Sequence, residues 1–282
     1  MKLLRVGPAG QEKPAVLDGY GVLRDLSAHV ADIAGEVLSP EGLASLSALD
    51  LSSLPQVAGA PRIGPCVGRV GKLVCVGLNY RAHVVETKNE PTPEPLLFMK
   101  ATTSICGADD PILPPRGATQ LDYEVELGVV IGRTSRYVDA DEAMASVAGY
   151  CLINDVSERA FQKYRGGQWT KGKSADSFGP IGPWFVTADE IPDPSALHLE
   201  LTVNGEVRQS APAADMIVDV PGLVSYISQF MTLEPGDIIA TGTPSGVGSG
   251  MTPPVFLREG DTVVARAEGL GVQTKIVAAF SA

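Results

Sequence analysis

The sequence predicts a β-rich α+β protein, and two observations carry that prediction. Short apolar segments typical of β-strands recur through the 282 residues, and turn-forming pairs such as Asn204-Gly205 and Pro235-Gly236 separate them. Helical patterns are few in comparison. Many strands joined by turns, with sparse helices, favour a β-rich roll or sandwich over a doubly wound parallel sheet.

The first part of the chain is predicted to form a small α+β unit. Two short strands, Leu3–Val6 and Ala15–Leu17, precede a hairpin signal at Asp18-Gly19. Ser39-Pro40 is typical of a helix N-terminus and predicts a short helix that ends near Leu49.

A segment rich in proline and glycine, residues 54–65, shows no periodicity and is the best linker candidate. A chain of this length suits one large domain and a smaller one, because single cores rarely grow past roughly 250–300 residues. We therefore predict a small N-terminal α+β domain at residues 1–62 and a larger β-rich domain at residues 63–282.

The larger domain is predicted to consist mainly of strands. Eight segments have the length and apolar content of strands: Leu73–Gly77, Leu96–Met99, Tyr123–Ile131, Ala148–Asn154, Leu197–Val203, Ile238–Thr241, Thr262–Arg266 and Gln273–Phe280. Three helices are predicted, one opening at Asp139-x-x-Glu142, one opening at Ser157, and one over Pro221–Met231.

Composition excludes several classes of protein. The formal net charge is -11, and an acidic chain binds the phosphate backbone of nucleic acids poorly. No stretch approaches 18 consecutive apolar residues, so we expect no membrane span. We therefore expect neither a nucleic acid nor a membrane as a partner.

The cysteines and the N-terminus indicate a cytoplasmic protein. The four cysteines show no C-x-x-C and no zinc-finger spacing, and two of them lie in apolar segments, as free thiols in a reducing compartment do. They are Cys66, Cys75, Cys106 and Cys151. The N-terminal residues become polar too early for a signal peptide.

Two glutamates lie two residues apart in the apolar segment DYEVEL. Alternation puts Val125, Leu127 and Val129 on one face of a strand and projects Glu124 and Glu126 from the other. Neighbouring carboxylates on a desolvated strand repel, and a divalent cation relieves that repulsion. For E-x-E alone, a solvated strand face remains the more common explanation.

Asp155 strengthens the metal interpretation. It ends an apolar strand that begins near Cys151 and directly precedes the helix predicted at Ser157. Asp155 could be a helix cap, but it also lies where a central metal would be reached. Three carboxylates without a Cys or His cluster favour Mg²⁺ or Mn²⁺ over Zn²⁺.

His83 and Glu86 form an H-x-x-E pair after the predicted strand Leu73–Gly77. On a helix they face the same way, and a carboxylate beside an imidazole makes a general base. A surface histidine with an incidental acidic neighbour is the alternative. The proline-rich segment that follows, residues 87–95, is typical of a mobile flap.

Other polar residues cluster near these motifs. Arg159 and Gln162 follow Asp155 by four and seven residues, on one face of the predicted helix. Lys173 lies in a Gly/Pro-rich segment, where a surface lysine is the usual interpretation, and Lys171 is easily confused with it.

A glycine-rich loop, TGTPSGVGSG at residues 241–250, follows the strand predicted at Ile238–Thr241. It lacks the lysine of a phosphate-binding P-loop and the glycine spacing of a dinucleotide fold. Backbone N–H groups and the Thr243 hydroxyl could instead bind a carboxylate.

Taken in order, these motifs resemble the fumarylacetoacetate hydrolase family. The resemblance runs from about Lys72 to Phe280 and depends on six motifs: VGLNYRAHVVE, PLLFMK, DYEVELGVVIG, NDVSERAFQ, QWTKGKSADSFGPIGP and TGTPSGVG. It implies a mixed β-sandwich roll that forms a homodimer through the large domain.

The resemblance also implies a role for each site residue. Glu124, Glu126 and Asp155 correspond to the metal ligands of the family. The catalytic residues would be His83, Glu86 and Lys173. Four residues look like substrate contacts: Tyr80, Arg159, Gln162 and Thr243. Some members supply a fourth carboxylate ligand where Asn79-Tyr80 stands here, so the cation, expected to be Mg²⁺ or Mn²⁺, should bind more water or substrate oxygens.

The implied activity is the metal-dependent hydrolysis of the C3–C4 bond of a 2,4-diketo acid, which yields pyruvate and a second acid. An acylpyruvate, and among these a 2,4-diketo-3-deoxy sugar acid, is the expected substrate. Decarboxylation of oxaloacetate, or isomerisation and decarboxylation of a hydroxymuconate or hydroxyheptadienedioate, is the alternative in the same family. A metal-binding protein without catalysis is disfavoured, because His83, Glu86 and Lys173 would then have no role.

Overall fold

The structure is a computed structural model of the chain, and it describes residues 1–88, 90 and 92–279. In chain order the strands are β1 (Lys2–Val6), β2 (Lys13–Leu17), β3 (Leu23–Asp25), β4 (Leu73–Gly77), β5 (Leu96–Lys100), β6 (Ile105–Cys106), β7 (Leu121–Asp122), β8 (Val125–Ile131), β9 (Val147–Asn154), β10 (Ser157–Glu158), β11 (Gly179–Pro180), β12 (Phe185–Thr187), β13 (His198–Val203), β14 (Glu206–Pro212), β15 (Ile238–Ala240), β16 (Thr262–Ala267) and β17 (Gly271–Ile276).

The helices are short. The α-helices are α1 (Pro40–Ser47), α2 (Arg81–Glu86), α3 (Arg159–Tyr164), α4 (Thr170–Lys173) and α5 (Val220–Ser228). Single 3₁₀ turns lie at Gly35–Leu38, Leu51–Ser53, Thr102–Ser104, Ala143–Ser146, Ala188–Glu190, Pro194–Ala196, Ala213–Asp215 and Gly248–Gly250. Within the described part of the chain, no helix is both long and apolar enough to cross a membrane.

Two sheets dominate the fold. The larger sheet has nine strands in the order β3-β2-β1-β12-β9-β8-β15-β4-β5, and the smaller has four in the order β14-β13-β16-β17. Strands β4 and β15 run parallel, whereas the other pairs in the larger sheet are antiparallel, so this sheet is mixed. The predicted β-rich α+β class with a sandwich architecture is confirmed.

The cores follow from the alternation of side chains along the central strands. Val125, Leu127 and Val129 of β8 point into one core with Leu199 and Leu201 of β13, and this core joins the two sheets. The opposite face of the larger sheet packs on a second core, which includes Val130, Ile153, Leu38 and Leu46. Both faces of β8 and β9 are therefore buried, and any charge on these strands needs a partner.

The N-terminal strands extend the larger sheet. β1 pairs antiparallel with β12, and β2 and β3 continue outward from it. Leu3 and Val16 belong to the same core as Leu73 and Ile153. The division into residues 1–62 and 63–282 remains a prediction.

Most predicted elements are confirmed within one or two residues at their ends. The Ser39 hydroxyl accepts a hydrogen bond from the backbone N–H of Gly42, as the predicted helix cap requires. The predicted strand Gln273–Phe280 is present as β17, and its last residue, Phe280, lies outside the described residues. β14 was not predicted, because its exposed and half-buried residues break the apolar pattern.

One helix prediction is wrong, and another helix begins two residues later than predicted. The segment after Asp139 forms only one 3₁₀ turn, because β9 begins directly afterwards at Val147 and leaves no room for a longer helix. The helix predicted to open at Ser157 begins at Arg159 instead. Its cap is Glu158, whose carboxylate accepts the backbone N–H of Ala160, while Ser157 pairs with Asp122 in a short two-stranded sheet.

Candidate active site

The predicted carboxylates meet at one end of the larger sheet. Glu124 immediately precedes β8, Glu126 lies within it, and Asp155 follows β9; β8 and β9 are antiparallel, with Val125 opposite Asn154. One oxygen from each carboxylate lies within 4.8 Å of the other two, and all three residues are buried. The strand register therefore brings Asp155 to Glu126 and Glu124, which precede it by 29 and 31 positions.

Three cations surround this carboxylate cluster. The Lys173 ammonium lies 2.6 Å from Glu124 Oε2 and 2.7 Å from Asp155 Oδ2, while Lys100 pairs with Asp155 Oδ1. Arg159 Nη2 lies 2.6 Å from Glu124 Oε1. Buried charges are tolerated only when they are paired, and Glu124 and Asp155 meet that condition. Asp155 is thus part of the charge cluster and does not cap α3.

The two glutamates of β8 differ in their pKa values. Burial alone would raise the pKa of Glu124, but Arg159 and Lys173 outweigh it and hold that pKa well below its usual range. Burial, Asp155 and Glu124 together raise the pKa of Glu126 well above its usual value. Among the described residues no lysine or arginine pairs with Glu126, whose Oε2 accepts one bond, 2.9 Å from the backbone N of Gly242.

Glu126 provides the test of whether a metal fits. A buried carboxylate with two carboxylate neighbours and no cationic side chain must bind either a proton or a cation. The donor atoms of the cluster are carboxylate oxygens, which hard divalent cations such as Mg²⁺ and Mn²⁺ prefer. The cluster could therefore hold a divalent metal, and the metal would balance the charge of Glu126, which has no cationic side chain paired with it among the described residues.

His83 and Glu86 lie on α2 and interact directly. His83 Nδ1 is 2.8 Å from Glu86 Oε1, and Glu86 Oε2 accepts the backbone N–H of Gly246 at 2.8 Å. The His83 ring is buried, although α2 itself is less than two turns long. The carboxylate is thus held from both sides, and it fixes the orientation of the imidazole. Two residues of the predicted flap after α2, Asn89 and Pro91, lie outside the described residues.

The glycine-rich loop binds carboxylates of the protein itself. Besides the bonds from Gly242 to Glu126 and from Gly246 to Glu86, the backbone N–H groups of Gly248 and Ser249 donate to Asp122 at 2.8 and 2.9 Å. The sequence predicted that these amides could bind a carboxylate, but not that the carboxylates would be internal. The loop therefore holds both Glu126 of the carboxylate cluster and Glu86, the partner of His83.

The site contains a cavity of about 370 Å³. Of the predicted site residues, seven line it: His83, Glu124, Glu126, Arg159, Gln162, Lys173 and Thr243. Arg159 Nη1 donates to Gln162 Oε1 at 3.1 Å. The Thr243 hydroxyl donates to the carbonyl of Val125 at 2.9 Å and accepts from Gln209 Nε2 at 2.7 Å.

Three predicted site residues, Glu86, Asp155 and Tyr80, do not line this cavity. Tyr80 is buried but lines a separate hollow on the other side of α2, and its hydroxyl has no hydrogen-bond partner in the described part of the chain. Its role in substrate binding remains a prediction. Asn79 donates to the carbonyls of Val218 and Thr241, so it anchors the start of α2. Lys171 is exposed and donates to the carbonyl of Arg165, so Lys173 is the lysine at the site.

Three charged residues near the site were missed from the sequence. Lys100 pairs with Asp155, and Asp122 accepts Arg159 Nε at 2.8 Å. Both lie in quoted motifs, PLLFMK and DYEVEL, and a charge in an apolar strand was the available signal. Lys163 lines the cavity one turn after Arg159 on α3, and it had no distinguishing signal.

A family model provides the deciding comparison. The fumarylacetoacetate hydrolase C-terminal model matches residues 72–278. The chain belongs to the fumarylacetoacetate hydrolase family. A relative from Burkholderia multivorans, described only in general terms as a hydrolase, is 55% identical over 280 residues and 99% of each chain. The family contains hydrolases and isomerases, so this chain has an enzyme fold with a candidate metal site.

Solved structures of the family share the whole fold. A fumarylacetoacetate hydrolase from Exiguobacterium antarcticum is 37% identical with a TM-score of 0.85, over 99% of both chains. A maleylpyruvate hydrolase from a Sphingobium species is 30% identical with a TM-score of 0.81, also over 99% of both chains. A 2-hydroxyhepta-2,4-diene-1,7-dioate isomerase from Mycobacterium marinum is 35% identical with a TM-score of 0.74, over 99% of this chain and 98% of the other.

Proposed function

We propose that this chain is a divalent-metal-dependent hydrolase that cleaves the C3–C4 bond of a 2,4-diketo acid into pyruvate and a second carboxylic acid. One observation supports this reaction above the alternatives. His83, whose Nδ1 is bonded to Glu86, lines the same cavity as Glu124, Glu126 and Lys173. A base for water and a site for a 2-oxo acid are therefore adjacent.

Glu124, Glu126 and Asp155 would hold the cation, which we propose to be Mg²⁺, with Mn²⁺ as a substitute. When bound, the cation would supply the Lewis acid for the 2-oxo carboxylate end of the substrate. The three cations Lys100, Lys173 and Arg159 hold the ligand carboxylates in place. These three cations therefore keep Glu124 and Asp155 oriented toward the proposed metal position.

The role proposed for His83 follows from its bond to Glu86. When Nδ1 carries the hydrogen that Glu86 accepts, Nε2 is the basic nitrogen and takes a proton from water. The water oxygen then bonds to C4, the C3–C4 bond breaks, and its electron pair goes to C3. The proton held on His83 Nε2 passes to C3, which becomes the methyl group of pyruvate, and C4 leaves as the carboxyl carbon of the second acid.

Lys173 is suited to stabilising negative charge and is not suited to acting as a base. Burial would lower its pKa, but Asp155 and Glu124 outweigh burial and raise it. The ammonium therefore stays protonated at neutral pH and can donate to an anionic substrate oxygen. This leaves His83 as the general base.

Two solved structures of the family suggest the candidate substrate and the alternative reaction. The maleylpyruvate hydrolase neighbour supports cleavage of an acylpyruvate, and a 2,4-diketo-3-deoxy sugar acid is our initial candidate. The isomerase neighbour supports isomerisation of a related diacid as the alternative. Decarboxylation of such a diacid or of oxaloacetate is a further alternative, implied by the family resemblance alone. These reactions need no attacking water, so the His83–Glu86 pair favours hydrolysis.

Three further expectations accompany the proposal. We propose that the protein forms a homodimer through the large domain and that it acts in the cytoplasm. The four cysteines are free and buried, as in the reducing compartment expected from the sequence. We retain residues 1–62 as a small domain beside the catalytic residues 63–282. Light scattering at micromolar concentration would test the dimer.

Release of pyruvate tests the proposed reaction. Acylpyruvates, diketo-deoxy sugar acids and oxaloacetate would each be incubated with the purified protein, with and without Mg²⁺. We expect Mg²⁺-dependent release of pyruvate and one equivalent of a second acid from at least one diketo acid. Turnover of oxaloacetate alone would favour the decarboxylase, and no turnover of any diketo acid would reject the hydrolase.

A further inference from the structure

We propose that Lys163 binds a second carboxylate at the far end of the substrate, so that the substrate is a 2-oxo diacid. This inference rests on the proposed function, because it assumes that the 2-oxo acid end lies at the carboxylate cluster. It names the substrate class of that same cavity. It also replaces the sugar acid as the favoured substrate.

The first observation is the pairing of charges around the cavity. The cations Arg159 and Lys173 both have buried carboxylate partners, and His83 has Glu86. Lys163 also lines the cavity, but none of the carboxylates in the described part of the chain pairs with it. Its charge is therefore available to a ligand.

The second observation is the position of Lys163 along α3. It follows Arg159 by four residues, so the two side chains emerge from the same face of the helix. Four residues correspond to a rise of about 6 Å. Arg159 is buried against Glu124, whereas Lys163 lines the cavity and is exposed to solvent. The free cation thus lies roughly one helical turn outward from the carboxylate cluster.

The electrostatic surroundings of Lys163 support an anionic partner. Partial burial and the charges of Arg159 and Lys173 lower the pKa of the Lys163 ammonium, while Asp122 and Glu124 oppose that shift. A substrate carboxylate would relieve the repulsion and form a charge-assisted hydrogen bond. A neutral hydroxylated chain would offer no opposite charge.

Binding, measured separately from turnover, tests the role of Lys163. Calorimetry would compare 2-oxohexanedioate with 2-oxohexanoate, which has the same number of carbons and lacks the second carboxylate, in the presence of Mg²⁺. We expect the wild type to bind the diacid roughly 5- to 20-fold more tightly, because the ion pair is partly exposed. K163M should reduce this ratio to about 1, and K163R should retain most of it.

Lys171 provides the matched control. It is an exposed lysine on the neighbouring segment that does not line the cavity, so K171M should retain the wild-type ratio of affinities. Equal affinity of the wild type for the two acids would overturn the proposal, and so would a ratio that K163M leaves unchanged. A normal ratio together with no hydrolysis of any diketo acid would reject the proposed reaction and leave the Lys163 assignment standing.

Discussion

The two walls of the cavity are built in different ways. The carboxylate cluster, Glu124, Glu126 and Asp155, lies on central strands whose two faces are both buried, and cationic side chains hold two of its three members. The helix dyad, His83 and Glu86, lies on a helix of six residues. Glu86 keeps 19% of its side-chain surface exposed, whereas Asp155 keeps none.

Because of this difference, substitutions in the carboxylate cluster and in the helix dyad should affect different quantities. Removing a paired charge from a buried wall leaves its partner uncompensated in the core, which costs folding free energy as well as function. The helix dyad has few such partners, so changes there should affect turnover much more than folding. The same contrast occurs inside the cluster, where Glu124 has cationic partners and Glu126 has only a backbone amide.

Of the changes considered, removal of the metal should have the largest effect on activity. Treatment with EDTA should lower pyruvate release by at least about 10³-fold, because the Lewis acid is lost. Added Mg²⁺ or Mn²⁺ should restore it. Circular dichroism should show that the fold survives, since Lys173 and Lys100 still pair with the cluster. Full activity in a sample shown to be metal-free by elemental analysis would end the metal interpretation.

His83→Ala should lower kcat on a diketo acid by about 10²–10⁴, the usual contribution of a positioned general base. KM should change little, because the carboxylate cluster and not His83 binds the 2-oxo acid end. Decarboxylation of oxaloacetate should survive, since it needs no activated water. His198→Ala, which removes an exposed histidine bonded to Ser210, is the matched control. Intact hydrolysis by His83→Ala would mean that the base lies elsewhere.

Glu124→Gln and Glu126→Gln should have opposite effects on the stability of the metal-free protein. Glu124→Gln leaves Lys173 and Arg159 with weakened partners and should lower the free energy of unfolding by about 3 kcal/mol. Glu126→Gln removes a repelled carboxylate and should leave that free energy unchanged or raise it by about 1 kcal/mol.

Urea denaturation of the two variants and the wild type, all metal-free, measures this difference, and calorimetry should show weaker metal binding in both variants. Equal destabilisation by the two substitutions would contradict the asymmetry within the cluster.

Glu86→Gln should have the smallest effect, a loss of about 10-fold in kcat. The imidazole survives, but its Nδ1 hydrogen loses a charged acceptor and is oriented less well. The amide has one oxygen, so only one of the bonds from His83 and Gly246 keeps its acceptor, but Glu86 is partly exposed and stability should fall only slightly. The double variant His83→Ala, Glu86→Gln should be no slower than His83→Ala alone. A further tenfold loss in the double variant would give Glu86 an independent role.

The parts of the fold predicted correctly are those with strong local patterns. The alternation of Val125, Leu127 and Val129 identified β8, and Ser39-Pro40 identified the start of α1. The predictions failed where neighbouring elements decided the outcome. A capping pattern at Asp139 could not extend into a helix, because the residues after it pair in β9. β14 has no clear pattern and is a strand because β13 provides its backbone partners.

The sequence by itself determined which residues carry the chemistry, because a carboxylate or an imidazole in an apolar segment stands out against its neighbours. It could not determine how their charges are balanced. Lys100 reaches Asp155 and Lys173 reaches Glu124 only because the folded chain brings the last residue of β5 and the last residue of α4 against the carboxylate cluster. Tertiary structure alone therefore decided that Glu126 lacks a cationic partner and that Lys163 is free, since the strength of each pairing depends on distance and burial and not on position in the chain.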